Sequence, residues 1–208
     1  PKTGDLIVRP DISRTLSEIA VTKGESFYRG SLAEKIEEAA KIGGGGLRLE
    51  DLNDHQTEFV ELINQDFRDV RAHEIPPNGQ GIAALIALGI LDQLEVEALD
   101  SLDSFHMQIE AMKVGLFLAD RYVADPKQMK LQAADLLDEY LLRDYARKIG
   151  KSASPMPPID RLKGGDTVYL SACDSSGVMV SFIQSNYFGF GSGIVVPETG
   201  IALQNRGW

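Results

Sequence analysis

The sequence is short of several things. It has a single cysteine, Cys173, among 208 residues, which excludes an intrachain disulfide framework and is compatible with a reducing compartment. No apolar run reaches the roughly 18 residues that a membrane-spanning helix requires, and no secretory-signal pattern opens the chain. It has no Lys/Arg-rich run, and acidic side chains outnumber basic ones 31 to 21, for a net charge of −10. Such a surface repels phosphate backbones, so neither nucleic acid nor a membrane is expected as a partner. What is present is ordinary: 43% hydrophobic and 25% charged residues describe a globular chain able to bury a sizeable core, not a disordered one.

Helical periodicity dominates the first two thirds. Ile12, Leu16, Ile19 and Ala20 recur at helical spacing before Gly24. Ser31 and Glu34 have the spacing of a capping box, opening a helix through Ile36, Ala39 and Ala40 that the glycines 43–46 end. No Gly-Lys-Ser/Thr follows those glycines, so they read as a joint and not a phosphate loop. Residues 58–75 read as strand, turn, strand, with the turn at Asn64-Gln65-Asp66 and Pro76-Pro77-Asn78-Gly79 closing the hairpin. A helix that is apolar nearly all round, and so expected to be buried, spans about 81–94. A long helix is expected over about 104–123, ended by Asp125-Pro126, and another over about 130–149.

Composition then changes. Residues 150–165 are rich in Gly, Ser, Pro and Lys and read as an exposed linker. Beyond them the pattern is β. Residues 168–173 and 178–184 flank the turn Asp174-Ser175-Ser176-Gly177. A glycine-rich stretch, 189–193, precedes a short apolar run at 194–196, the turn Pro197-Glu198-Thr199-Gly200 and a strand at 201–203. A sheet edge left open there is hazardous, so the natural protein is expected to continue past Trp208.

Several stretches, in order, resemble the gamma-glutamyltranspeptidase family. They are Phe27-Tyr28-Arg29-Gly30; Pro76-Pro77-Asn78-Gly79-Gln80-Gly81-Ile82; His106, Glu110, Ala111 and Lys113; Ala119-Asp120-Arg121 with Asp125-Pro126; Gly165-Asp166-Thr167; Asp174 to Gly177; Gly189 to Val195; and Glu198-Thr199-Gly200-Ile201 with Leu203 and Asn205. The resemblance implies an α+β chain, part of the four-layer αββα sandwich of N-terminal-nucleophile hydrolases. It implies a precursor that cuts itself between Asp166 and Thr167. Residues 1–149 would then be the C-terminal part of the large subunit, 150–166 the linker to the processing site and 167–208 the start of the small subunit. The remainder of that small subunit would be a partner, and this chain alone, lacking half the site, would have no turnover.

The implied chemistry is coherent. A threonine hydroxyl is a weak nucleophile. Once the bond before it is cut, Thr167 gains an α-amine, whose unperturbed pKa of about 7.7–8.0 leaves a useful neutral fraction near physiological pH. That amine accepts the hydroxyl proton and returns it to the leaving group, so one residue is nucleophile and base, with no metal or cofactor. Taken alone, Thr167 would read simply as the first residue of a strand. Gly165 and Asp166 belong to the processing site, where glycine lets the chain bend.

Ser185 aligns with a hydroxyl residue that supports the nucleophile; it also fits a cross-strand hydrogen-bonding partner. Tyr187 and Arg206 stand where the family usually has Asn and Gln or Glu, which hold the substrate's α-amino and α-carboxylate groups. Arg206 would repel an ammonium and attract a carboxylate, or else be a loop arginine on the surface. Gly191, Ser192 and Gly193 fit either close backbone approach at the site or a bulge. His106 and Glu110 lie one helical turn apart, a metal-pair spacing, but with no third ligand in view packing or capping is the better reading. His55 and His73 belong to no constellation. The expected activity is on gamma-glutamyl amides such as glutathione, with a glutaryl-type amide acylase or a non-catalytic relative as alternatives.

Overall fold

The computed structural model describes residues 2–95, 100–155 and 167–206. In chain order its elements are α1 (Pro10–Thr22), α2 (Glu25–Arg29), α3 (Ser31–Ile42), α4 (Leu49–Asp54), β1 (Ile63–Phe67), β2 (Val70–Glu74), α5 (Ile82–Leu91), α6 (Leu102–Tyr122), α7 (Ala133–Leu136), α8 (Glu139–Lys148), β3 (Thr167–Cys173) and β4 (Met179–Ser185). The chain divides into two compact units, one of Glu58–Leu162 and one of Pro1–Thr57 with Lys163–Trp208. Among the described residues no helix is long and apolar enough to cross a membrane.

In the central unit α5 is the hub. Ile82, Leu85, Ile86 and Ile90 are all at most 1% exposed, and burying each such side chain stabilises by about 1.5–3 kcal/mol. Ile82, Ile86 and Ile90 pack with Ala111, Leu118 and Ala119 of α6, Leu136 of α7, and Leu142 and Ala146 of α8. Gly115 is where α6 comes closest: a Cβ there would strike the Ala83 carbonyl oxygen. The antiparallel pair β1–β2 packs its alternate residues inward, with Ile63 against the same core.

The expected hairpin is present, but its turn lies elsewhere. Asn64-Gln65-Asp66 runs inside β1, and Phe67 and Val70 flank the turn residues Arg68 and Asp69. Asn64 and Asp66 are polar because they face solvent on an alternating strand, not because the chain bends there. Asp66 instead pairs across the strands with Arg71 at 2.5 Å. The helix expected over 130–149 is broken in two at Leu137-Asp138, where the Asp138 side chain accepts from the Leu141 amide at 3.0 Å and starts α8 afresh.

In the other unit a smaller core joins Ala33, Ile36 and Ala39 of α3 to Leu52 of α4 and to Val196. The capping box expected at Ser31 does not form. Gly30 is the N-cap, and the Ser31 hydroxyl donates to Glu18 instead. The short α2 and α4 carry too few periodic positions to announce themselves in the sequence. The strand expected at 201–203 is reduced to a single bridge, Val195 to Ala202.

Candidate active site

β3 and β4 pair antiparallel with Thr167 directly opposite Ser185. Their tip is fixed by Asp174, whose carboxylate accepts from the Ser176 hydroxyl at 2.7 Å and from the Ser176 and Val178 amides at 2.8 and 3.0 Å. Those donors, the Ser176 hydroxyl first, hold the Asp174 carboxyl below its ordinary value. Apart from the half-buried Ser185, the hairpin is exposed along its whole length, with Val168, Tyr169, Leu170, Phe182 and Ile183 open to solvent. Apolar residues on both faces are the pattern of strands built to be covered on both sides.

At the open end the Thr167 hydroxyl donates to Ser185 Oγ at 2.9 Å. The Tyr187 amide donates to the same Oγ at 2.8 Å, with Tyr187 at φ 76°. A tyrosine held at positive φ is uncommon and requires support from its surroundings. The Arg206 guanidinium lies 5.1 Å from the centre of the Tyr187 ring, a cation–π distance. Thr167, Ser185, Tyr187 and Arg206 are thus linked contact by contact. Gly165 and Asp166 lie outside the described residues.

The turn behind Tyr187 is held by Asn205, whose role the sequence reading left unassigned. Its side-chain oxygen accepts from the Phe188 amide at 3.1 Å, and its NH2 donates to the Phe188 and Gly191 carbonyls at 3.3 and 3.1 Å. Ser192 donates its hydroxyl to the Leu203 carbonyl at 2.9 Å. Gly191, at φ 73°, sits so close to that carbonyl that a Cβ would collide with it, whereas Gly193 has open space. Close backbone approach therefore explains Gly191 and not Gly193.

The Glu198-Thr199-Gly200-Ile201 turn is tied down rather than open. Thr199, 1% exposed, donates to the Val196 carbonyl at 2.9 Å and accepts from the Ile201 amide at 3.0 Å. Thr15 on α1 donates to the Thr199 carbonyl at 2.8 Å. His55 stacks on Tyr28, with ring centres 5.0 Å apart. His106 and Glu110 have other partners than a metal: the His106 Nε2 lies 2.7 Å from the Gly150 carbonyl oxygen, and Glu110 pairs with Lys113 at 2.7 Å. Among the described residues no three His, Cys, Asp or Glu side chains gather as metal ligands would.

A model of the gamma-glutamyltranspeptidase family matches residues 1–208. The chain belongs to that family. It is 33% identical over 209 residues to the glutathione hydrolase-like YwrD proenzyme of Bacillus subtilis (strain 168), and 35% identical over 208 residues to the oxamate amidohydrolase proenzyme of Klebsiella pneumoniae. Each alignment takes in 100% of this chain and 39% of the relative. The solved cephalosporin acylase from Bacillus halodurans superposes with a TM-score of 0.90 at 45% identity, over 99% of this chain and 38% of that one. The chain therefore spans about two fifths of the length of these gamma-glutamyltranspeptidase relatives. Its helix-rich α+β fold is that of a part of an N-terminal-nucleophile hydrolase, as expected.

Proposed function

We propose that this chain carries the nucleophile of a self-processed amide hydrolase or transferase acting on gamma-glutamyl amides of the glutathione type, and that Thr167 is that nucleophile. The observation that carries the reading is the 2.9 Å contact between Thr167 Oγ1 and Ser185 Oγ, at an exposed strand start that opens the small-subunit portion of the family pattern. Cleavage before Thr167 frees its amine. The hydroxyl then attacks the acyl carbon, its proton passes by way of the amine to the leaving nitrogen, and the C–N bond breaks to leave a threonyl ester. Water or an acceptor amine attacks that ester and restores the hydroxyl. Ser185 holds the hydroxyl's orientation while Tyr187 and Arg206 face the acyl group. In this scheme residues 1–149 belong to the large subunit, 150–166 lead to the cut at Gly165-Asp166-Thr167, and the rest of the small subunit covers the exposed faces of β3 and β4.

A second reading keeps the mechanism and changes the acyl group. The guanidinium of Arg206 favours a substrate carboxylate without an α-ammonium, as in a glutaryl amide, and the 45% identity to a cephalosporin acylase is consistent with it. Hydrolysis of gamma-glutamyl and glutaryl anilides by the full-length protein separates the two. A clear glutaryl preference sinks the gamma-glutamyl reading. Absence of an acyl adduct on Thr167 in quenched turnover sinks both.

A further inference from the structure

Tyr187 and Arg206 face the acyl group in the proposed site, and Asn205 takes hold of the chain on both sides of the first and adjoins the second. The Asn205 amide donates to the Asn186 carbonyl at 3.3 Å. Its side chain accepts from the Phe188 amide at 3.1 Å and donates to the Phe188 carbonyl at 3.3 Å. Both neighbours of Tyr187 are therefore held by one residue, while the Tyr187 amide itself is held by Ser185 Oγ at 2.8 Å. A tyrosine at φ 76° keeps that backbone only where its surroundings fix it. The residue after Asn205 is Arg206, whose guanidinium lies 5.1 Å from the centre of the Tyr187 ring. Burial alternates from 201 to 206, so the side chain that grips the turn is half-buried and the one that carries the charge is exposed.

Resting on the nucleophile reading above, we infer that Asn205 is a positioning residue for acyl selectivity: by holding residues 186 and 188 it sets where the Tyr187 ring stands, and so where the Arg206 guanidinium meets a substrate carboxylate. Its effect passes through Arg206, a coupling that a role in folding alone would lack. The local fold does not hang on this side chain. The Ser192 amide and hydroxyl both donate to the Leu203 carbonyl at 2.9 Å, and the backbone amide at 205 keeps its bond to Asn186 whatever side chain stands there.

The test measures kcat and KM of the processed full-length protein for glutaryl and gamma-glutamyl anilides, in the unsubstituted form, Asn205→Ala, Arg206→Gln and the double variant. Asn205→Ala should lower the glutaryl to gamma-glutamyl ratio of kcat/KM on the order of fivefold, chiefly through a higher KM for the glutaryl anilide. In the Arg206→Gln background the same change should move the ratio by less than about twofold, because the group it positions is gone. Asn205→Gln keeps the amide and shifts it by one methylene; it should lower the ratio in the same sense, and it takes the place of Asn205→Ala in both backgrounds where that variant fails to fold. A ratio within about twofold of the unsubstituted value in both Asn205 variants, or an equal fall in the two backgrounds, overturns the inference and leaves Thr167 untouched. A ratio that Arg206→Gln leaves unchanged overturns it as well, by removing the residue it acts through. If the full-length protein forms no acyl adduct on Thr167, the nucleophile reading falls and the inference falls with it.

Discussion

Thr167 and Ser185 face each other across the β3–β4 ladder and share a hydroxyl–hydroxyl hydrogen bond of 2.9 Å. Ser185 Oγ also accepts from the Tyr187 amide, so one atom orders both the proposed nucleophile and the residue at positive φ beside it. Ser185→Ala removes an acceptor that two donors use. Losing a hydrogen bond of this kind costs about 1–2 kcal/mol, so kcat/KM should fall about 5- to 30-fold, with the loss in kcat and little change in KM. Steady-state kinetics of the processed protein check it.

In the proposed site, Arg206 lies over the Tyr187 ring and would act on specificity. Replacing it by an uncharged residue, Arg206→Gln, withdraws a charge-assisted partner for a lone carboxylate and the repulsion toward an ammonium. The ratio of glutaryl to gamma-glutamyl anilide turnover should fall about tenfold or more. An unchanged ratio would make Arg206 a surface arginine.

Much of this was readable in the residues. The periodicity of α5 and α6 and the turn at 174–177 announced those elements because each signal is local. What was misread was also local, but decided by competition. Gly30 took the cap that Ser31 and Glu34 had the spacing for, and Asp138 cut one expected helix into two. In the polar run 64–66, Asn64 and Asp66 are the solvent face of a strand and Gln65 its inward face, which polarity alone cannot distinguish from a turn. In the candidate site, Thr167 and Ser185 were named from the family motif alone, and it is the β3–β4 register that sets them opposite each other. The work of Asn205, and of Glu110 and Lys113 on Ser154, was not legible, because their partners lie 14 to 44 residues away and no spacing rule reaches that far.

Gly115 makes a stability prediction. Gly115→Ala would ordinarily gain about 1 kcal/mol of helix propensity. Here the added methyl meets the Ala83 carbonyl oxygen, backbone that cannot rotate away. Overpacking costs about 1–3 kcal/mol, so Gly115→Ala should be net neutral to destabilising, and Gly115→Val clearly destabilising. Urea denaturation midpoints decide this.

The buried Glu110 sets an acid limit. Burial pushes its carboxyl up, but the hydrogen bonds from Lys113 and Ser154 outweigh this and hold it below its ordinary value of 4.5. A carboxyl lowered on folding contributes stability that is full above the unfolded value and lost as pH falls through the lowered folded one. The urea midpoint should therefore decline as pH drops below about 4.5, and Glu110→Gln should flatten that part of the decline.

The proposed nucleophile is tested most directly by the denatured mass of the full-length protein beside its Thr167→Ala variant. The account predicts two fragments with a new amino terminus at Thr167 in the first and a single intact chain in the second. Two folded, uncut proteins, or a Thr167→Ala variant cut at the same bond, would contradict it.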